Sequence, residues 1–144
     1  MTRVDFYIVE RQSPEASLTV ACRIAEKAVR EDHEVLINTA SDKDSARLDE
    51  LLWTFSQGSF LPHRLLSANA ESDDGEPVRI GSGQAPSDGP WDLLINLAPE
   101  VPEFVGRFSR IAELVGAEES SRAAGRERFR YYRDQGYDLQ THHV

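Results

Sequence analysis

The sequence predicts one three-layer α/β domain over residues 1–144, with a mostly parallel central sheet and helices on both faces. Three observations carry that expectation. Short β-prone apolar runs alternate with segments of three-and-four helical periodicity. Those runs are almost continuously apolar, as strands buried on both faces are. Hydrophobic residues make up 40% of the 144, enough to fill one core at single-domain length.

Val4-Asp5-Phe6-Tyr7-Ile8-Val9 reads as a buried first strand. From Ser17 to Arg30, Leu18, Ala21, Cys22, Ala25, Ala28 and Val29 form one helical stripe. Cys22 lies on it, which fits a small core residue better than a nucleophile. Val35-Leu36-Ile37-Asn38-Thr39 is a second strand, and Ser41 is placed to cap a helix carrying Ala46, Leu48, Leu51 and Leu52. Gly58 and Pro62 then break regular structure, and residues 69–89 read as largely loop with a short strand at Pro77-Val78-Arg79-Ile80. Trp91-Asp92-Leu93-Leu94-Ile95-Asn96-Leu97 is another buried strand. Two helices are expected after it, the first carrying Phe104, Phe108, Ile111, Ala112 and Val115 and the second running from Ser120 to Gln135, followed by an extended tail.

Composition narrows the function. No apolar run approaches the roughly 20 residues of a membrane span, and the first residues carry no signal-peptide pattern, so the expected compartment is the cytoplasm. One cysteine excludes an internal disulfide. The net charge of −9 leaves DNA binding to a local patch and predicts no tight direct binding. The turn after the first strand, Glu10-Arg11-Gln12-Ser13-Pro14-Glu15-Ala16, has no glycine, contains a proline without an N–H, and carries two carboxylates. It is a poor phosphate loop, and no cofactor is expected. Gly81-Ser82-Gly83 opens no helix. His33, His63, His142 and His143 lack zinc-ligand spacing, and His142-His143 reads as a solvated pair, with a weak transition-metal site as the minor alternative, so no metal is expected. Asp5 and Asp92 flank strands, where turn or capping roles are commoner than acid–base pairs. No residues assemble a catalytic site, so an enzyme is not expected.

One segment departs from the acidic average. Between Arg122 and Arg133 stand five arginines against one acid, Glu127. On a helix, Arg122, Arg126, Phe129, Arg130 and Arg133 share one arc of about 100°, with Ala124, Tyr131, Tyr132 and Gln135 opposite. Arg128 falls on the inner side and should snorkel or pair with a carboxylate. A solvated face would draw support from acids four residues away. Glu118 is so placed for Arg122, but no acid stands four residues before Arg126, Arg130 or Arg133. Arginines around an aromatic ring suit a carboxylate- or phosphate-binding surface. A nucleotide or nucleic acid held through phosphate therefore remains open as the alternative ligand.

The order of elements and three strings resemble the chi subunit family of the bacterial DNA polymerase III holoenzyme. The strings are Arg47-Leu48-Asp49-Glu50-Leu51-Leu52-Trp53, Ser59-Phe60-Leu61-Pro62-His63 and Arg126-Glu127-Arg128-Phe129-Arg130-Tyr131-Tyr132-Arg133. The resemblance implies a Rossmann-like, non-catalytic adaptor of the clamp loader. Its implied partners are the psi subunit and the acidic C-terminal tail of single-stranded-DNA-binding protein. For the tail it implies Arg126 as main carboxylate partner, with Arg122, Phe129 and Val115 around it and Arg130 on the same face. For psi, with a helicase-like protein as an alternative partner, it implies Trp53, Phe60 and Pro62. The acidic segment Glu71-Ser72-Asp73-Asp74-Gly75-Glu76 departs from the family pattern.

Overall fold

The computed structural model describes residues 2–54, 62–66, 76–84 and 91–144. The strands are β1 (Arg3–Ile8), β2 (Val35–Asn38), β3 (His63–Leu65), β4 (Val78–Gly81), β5 (Trp91–Asn96), β6 (Phe108–Val115) and β7 (Asp138–His143). The helices are α1 (Pro14–Arg30), α2 (Asp42–Leu52) and α3 (Glu119–Asp134). Among the described residues one seven-stranded sheet has the order β3-β4-β2-β5-β6-β1-β7, with every neighbouring pair parallel. Parallel pairing forces crossovers, and α1, α2 and α3 supply those from β1 to β2, from β2 to β3 and from β6 to β7.

The two faces of the sheet bury separate cores. One, under α1 and α2, is built on Ala21, Cys22, Ala25, Leu48, Leu52, Ile37, Ile80, Ile95 and Leu114. The other, under α3, holds Val4, Phe6, Leu94, Phe104, Phe108, Ile111, Val115 and Tyr132. Cys22 is fully buried, and burial pushes its thiol up to about 12, which suits a packing role. Ser41 caps α2 as expected, its hydroxyl accepting from the Asp44 N–H at 3.2 Å. Among the described residues no helix is long and apolar enough to cross a membrane.

Three assignments change. The segment expected as a helix over Phe104, Phe108, Ile111, Ala112 and Val115 is a short 3-10 turn, Val105–Arg107, followed by β6. Ile111 through Val115 are all buried, because β6 lies between β5 and β1 with cores on both faces. The spacing that looked helical is the sum of two strand faces. β3 was not expected as a strand at all. The polar tail Asp138–His143 is a full edge strand, held parallel to β1 through its backbone. Gly136 (φ +83°) makes that turn possible, with Tyr137 N–H bonding back to Tyr132 C=O at 3.1 Å. α2 carries Ala46 as expected, on its exposed side.

Candidate functional site

The contact line of α3 is Gly125, Arg128 and Tyr132, spaced three and four apart and all buried. Gly125 lets the helix descend onto β6: a Cβ there would sit 2.9 Å from a Val115 methyl carbon. Below it, Arg128 Nε donates to Glu113 Oε1 at 2.8 Å, and its terminal nitrogens donate to the Pro99 and Leu114 carbonyls. Tyr132 Oη donates to Glu113 Oε2 at 2.6 Å, and Asn96 Nδ2 donates to the same carboxylate. Complete burial pushes the Glu113 carboxyl upward, opposed by the Arg128 charge and the bonds from Tyr132, Asn96 and Arg128. Every member of this knot has partners inside the protein, which is the condition for a buried charge pair to be tolerated. Of the two inward placements expected for Arg128, snorkelling or pairing with a carboxylate, the structure has the second.

Beside that line, the helix and the sheet part into an open cleft of about 310 Å³. Its floor is apolar: Phe6 and Ile8 of β1 and Val115 of β6. Phe129, Gly125, Arg122 and Arg126 line the α3 side, and Thr141 and His143 of β7 line the far side. The Phe129 ring packs on Phe6 with centroids 5.4 Å apart. Arg122 Nε donates to the Ala117 carbonyl at 3.2 Å, anchoring the guanidinium beside the first turn. Arg126 is exposed and meets Glu119 at 3.2 Å, an exposed pair that a stronger anion can displace at little cost. An apolar trough with two guanidinium groups at its side can take an apolar or aromatic side chain together with a carboxylate or phosphate.

Four of the five residues expected at a binding face, Arg122, Arg126, Phe129 and Val115, line this cleft. Arg130 is not among the lining residues and pairs with Glu127 at 2.8 Å. The outer arginines are not uncompensated as the four-residue rule implied. Glu119 serves Arg126 from seven residues away, Glu127 serves Arg130 from three, and Asp134 lies 3.6 Å from its neighbour Arg133. Tyr131, expected inward, is 42% exposed, because the contact line is centred on Gly125, Arg128 and Tyr132 and leaves it to one side. Phe6, Ile8, Thr141 and His143 were missed. A glycine in mid-helix was the available signal for the close approach that shapes the cleft.

The model of the family described as "DNA polymerase III chi subunit, HolC" matches residues 1–140. The chain belongs to the DNA polymerase III chi subunit family. It is 48% identical to DNA polymerase III subunit chi of Pseudomonas aeruginosa over 144 residues, covering 100% of this chain and 98% of that protein. Identity to the same subunit of Escherichia coli is 32%, covering 98% and 97%, and to that of Haemophilus influenzae 30%, covering 96% and 95%. Membership makes the chain a replication factor, a subunit of DNA polymerase III. Among solved structures, T4 UvsW matches with a TM-score of 0.70 at 8% identity, over 99% of this chain and 41% of that one. A structure containing yeast Dbp5 matches at 0.67 and 10% identity, over 99% and 42%. At such identities the likeness concerns the fold alone.

Of the second group expected for this chi family member, Trp53, Phe60 and Pro62, the described residues Trp53 and Pro62 lie at the other edge of the sheet. Trp53 caps α2, is 55% exposed, and has its ring centroid 4.6 Å from that of His63. Pro62 is half-buried, and Leu65 of the edge strand β3 is exposed. Phe60 and residues 71–75 of the acidic segment lie outside the described residues.

Proposed function

We propose that the chain is a non-catalytic cytoplasmic adaptor of the clamp loader, joining the psi subunit to the acidic C-terminal tail of single-stranded-DNA-binding protein. The observation that carries this reading is the cleft between α3 and β1, with an apolar floor and Arg122 and Arg126 at its side. A tail of acidic residues ending in an aromatic residue with a free carboxylate would place its ring over Val115 and Phe6. Its carboxylates would lie against Arg126 and Arg122. Exposed Trp53, with Leu65 on the adjacent edge strand, supports the other half of the bridge, since exposed large apolar groups grouped at one edge mark docking surfaces. A helicase-like protein is an alternative partner for that edge.

The competing reading is a nucleotide or nucleic acid held through phosphate by the same arginines. The glycine-free turn after β1 and the charge of −9 weigh against it. Capture assays with purified single-stranded-DNA-binding protein and purified psi test the adaptor. Arg126→Ala should lose the first partner and keep the second, and Trp53→Ala should do the reverse. Loss of both partners with either variant would contradict two separate surfaces.

A further inference from the structure

The cleft faces α3; the opposite face of the same strands carries a second cluster of cations. On that face α1 packs against β2, β5 and β6. Beyond it, β1 and β7 present Arg3, Asp5, Tyr7, Gln140 and His142, joined by Arg110 of β6. The register sets Arg3 directly opposite Arg110, a like-charged cross-strand pair that would repel if left alone. Asp5, whose side chain is fully buried, relieves it. Its Oδ1 accepts from Arg3 at 3.0 Å and lies 2.9 Å from His142 Nε2, while Oδ2 accepts from Arg110 Nε at 3.2 Å. Asp5 thus has neither the turn nor the capping role expected of a strand-end aspartate, and His142 is not a free solvated residue.

This arrangement leaves donors in hand. Arg110 gives only its Nε to the carboxylate and shares a side-chain bond with Tyr7, while Arg3 gives Nε and Nη2 to Asp5 and Nη2 to Gln140. Arg3 Nη1 and a terminal nitrogen of Arg110 therefore lie outside these bonds. Both arginine side chains are about two-fifths exposed, at 43% and 42%, and two guanidinium charges face the single Asp5 carboxylate, an excess of one positive charge. His142 stacks on Tyr7 with ring centroids 5.0 Å apart and planes 23° from parallel, a flat aromatic surface next to the cations.

We propose that this cluster is a binding site for the phosphate group of a nucleotide, with Arg3 and Arg110 taking the phosphate and the Tyr7–His142 pair taking the base. A phosphate has more acceptor oxygens than a carboxylate, and donors converging from three strands match it better. Base stacking on an aromatic pair beside a cation is the usual arrangement where sequence-independent contact is made. Asp5 is a positioning residue that fixes Arg3 by Nε and Nη2 and Arg110 by Nε.

The test is titration of the full chain, at constant ionic strength, with inorganic phosphate, adenosine monophosphate and a short single-stranded oligonucleotide. The arginine Nε–H and His142 ring signals are followed by NMR. Adenosine monophosphate should move the Arg3, Arg110 and His142 signals and bind more tightly than phosphate. A further gain with the oligonucleotide would identify a strand as the source, and no gain a free nucleotide; either supports the site. Arg110→Gln should weaken adenosine monophosphate about tenfold, with Arg3→Gln as the second variant if the first fails to fold. A saturating acidic tail peptide should not displace the nucleotide, because the cleft lies on the other face of the sheet. Unmoved signals, displacement by that peptide, or a glutamate-rich peptide moving the signals more than the nucleotide would each overturn the proposal.

Discussion

Arg126 and Arg128 stand two residues apart on one helix, and their surroundings are opposite. Arg128 is buried against Glu113, Pro99 and Leu114, and every bond it makes is inside the protein. Arg126 is 59% exposed, and its partner Glu119 is 82% exposed. The first arrangement is costly to disturb, since losing one partner strands a buried charge. The second is nearly neutral to stability, and its guanidinium stays available to an incoming anion. The helical period turns the chain from one role to the other within two residues. A single arginine-rich sequence can therefore hold α3 to the sheet and present a binding edge beside it.

The largest expected effect falls on the buried side. Glu113→Gln removes the charge that balances Arg128, and should cost about 3–5 kcal/mol in urea denaturation. Retention of near-wild-type stability would show that the knot does not anchor α3. Next comes Asp5, the other buried carboxylate with arginine partners. Burial alone would raise its pKa, but the bonds from His142 and Arg3 and the charges of Arg3 and Arg110 outweigh burial and hold it below the ordinary value. A lowered folded-state pKa adds stability above the unfolded-state value, roughly pH 4, and that stability is lost as pH falls through the folded-state pKa. Asp5→Asn should thus be destabilised by about 1–3 kcal/mol at neutral pH, with the gap to wild type closing on acidification. A gap that stays constant with pH would contradict the ionised knot.

Gly125 lies on the boundary between the two sides. Gly125→Ala gains about 1 kcal/mol of helix propensity, but its Cβ meets Val115 at 2.9 Å, and such overpacking costs about 1–3 kcal/mol. A net loss of up to about 2 kcal/mol should accompany severalfold weaker binding of an acidic tail peptide, because Val115 is part of the cleft floor. Calorimetry alongside denaturation would separate the two effects. The smallest effect is expected far from α3. Trp53→Ala should change stability by less than about 1 kcal/mol and leave tail-peptide affinity untouched, since the exposed ring is at the opposite sheet edge.

Periodicity made α1, α2 and α3 legible, because each lays one stripe on a core. It failed at β6, where both faces of the strand are buried. Glu113 is a polar residue inside that run, and its burial rests on Arg128, Asn96 and Tyr132. β7 was unreadable as a strand because its side chains are mostly exposed and its place rests on backbone bonds to β1. At the cleft, helical spacing and family resemblance together named Arg122, Arg126, Phe129 and Val115. Phe6, Ile8, Thr141 and His143 depend on strand neighbours more than a hundred residues apart, which no local pattern records. Arg130 shared the arc, yet three-residue pairing with Glu127 draws it away.

The most direct test of the two-sided helix is calorimetry of Arg126→Ala with an acidic peptide ending in an aromatic residue, alongside denaturation of the same variant. Binding should weaken about tenfold or more, the worth of one charge-assisted hydrogen bond, while stability stays within about 0.5 kcal/mol of wild type. Unchanged affinity, or a loss of affinity matched by a loss of stability, would contradict the assignment of Arg126 to binding and Arg128 to the fold.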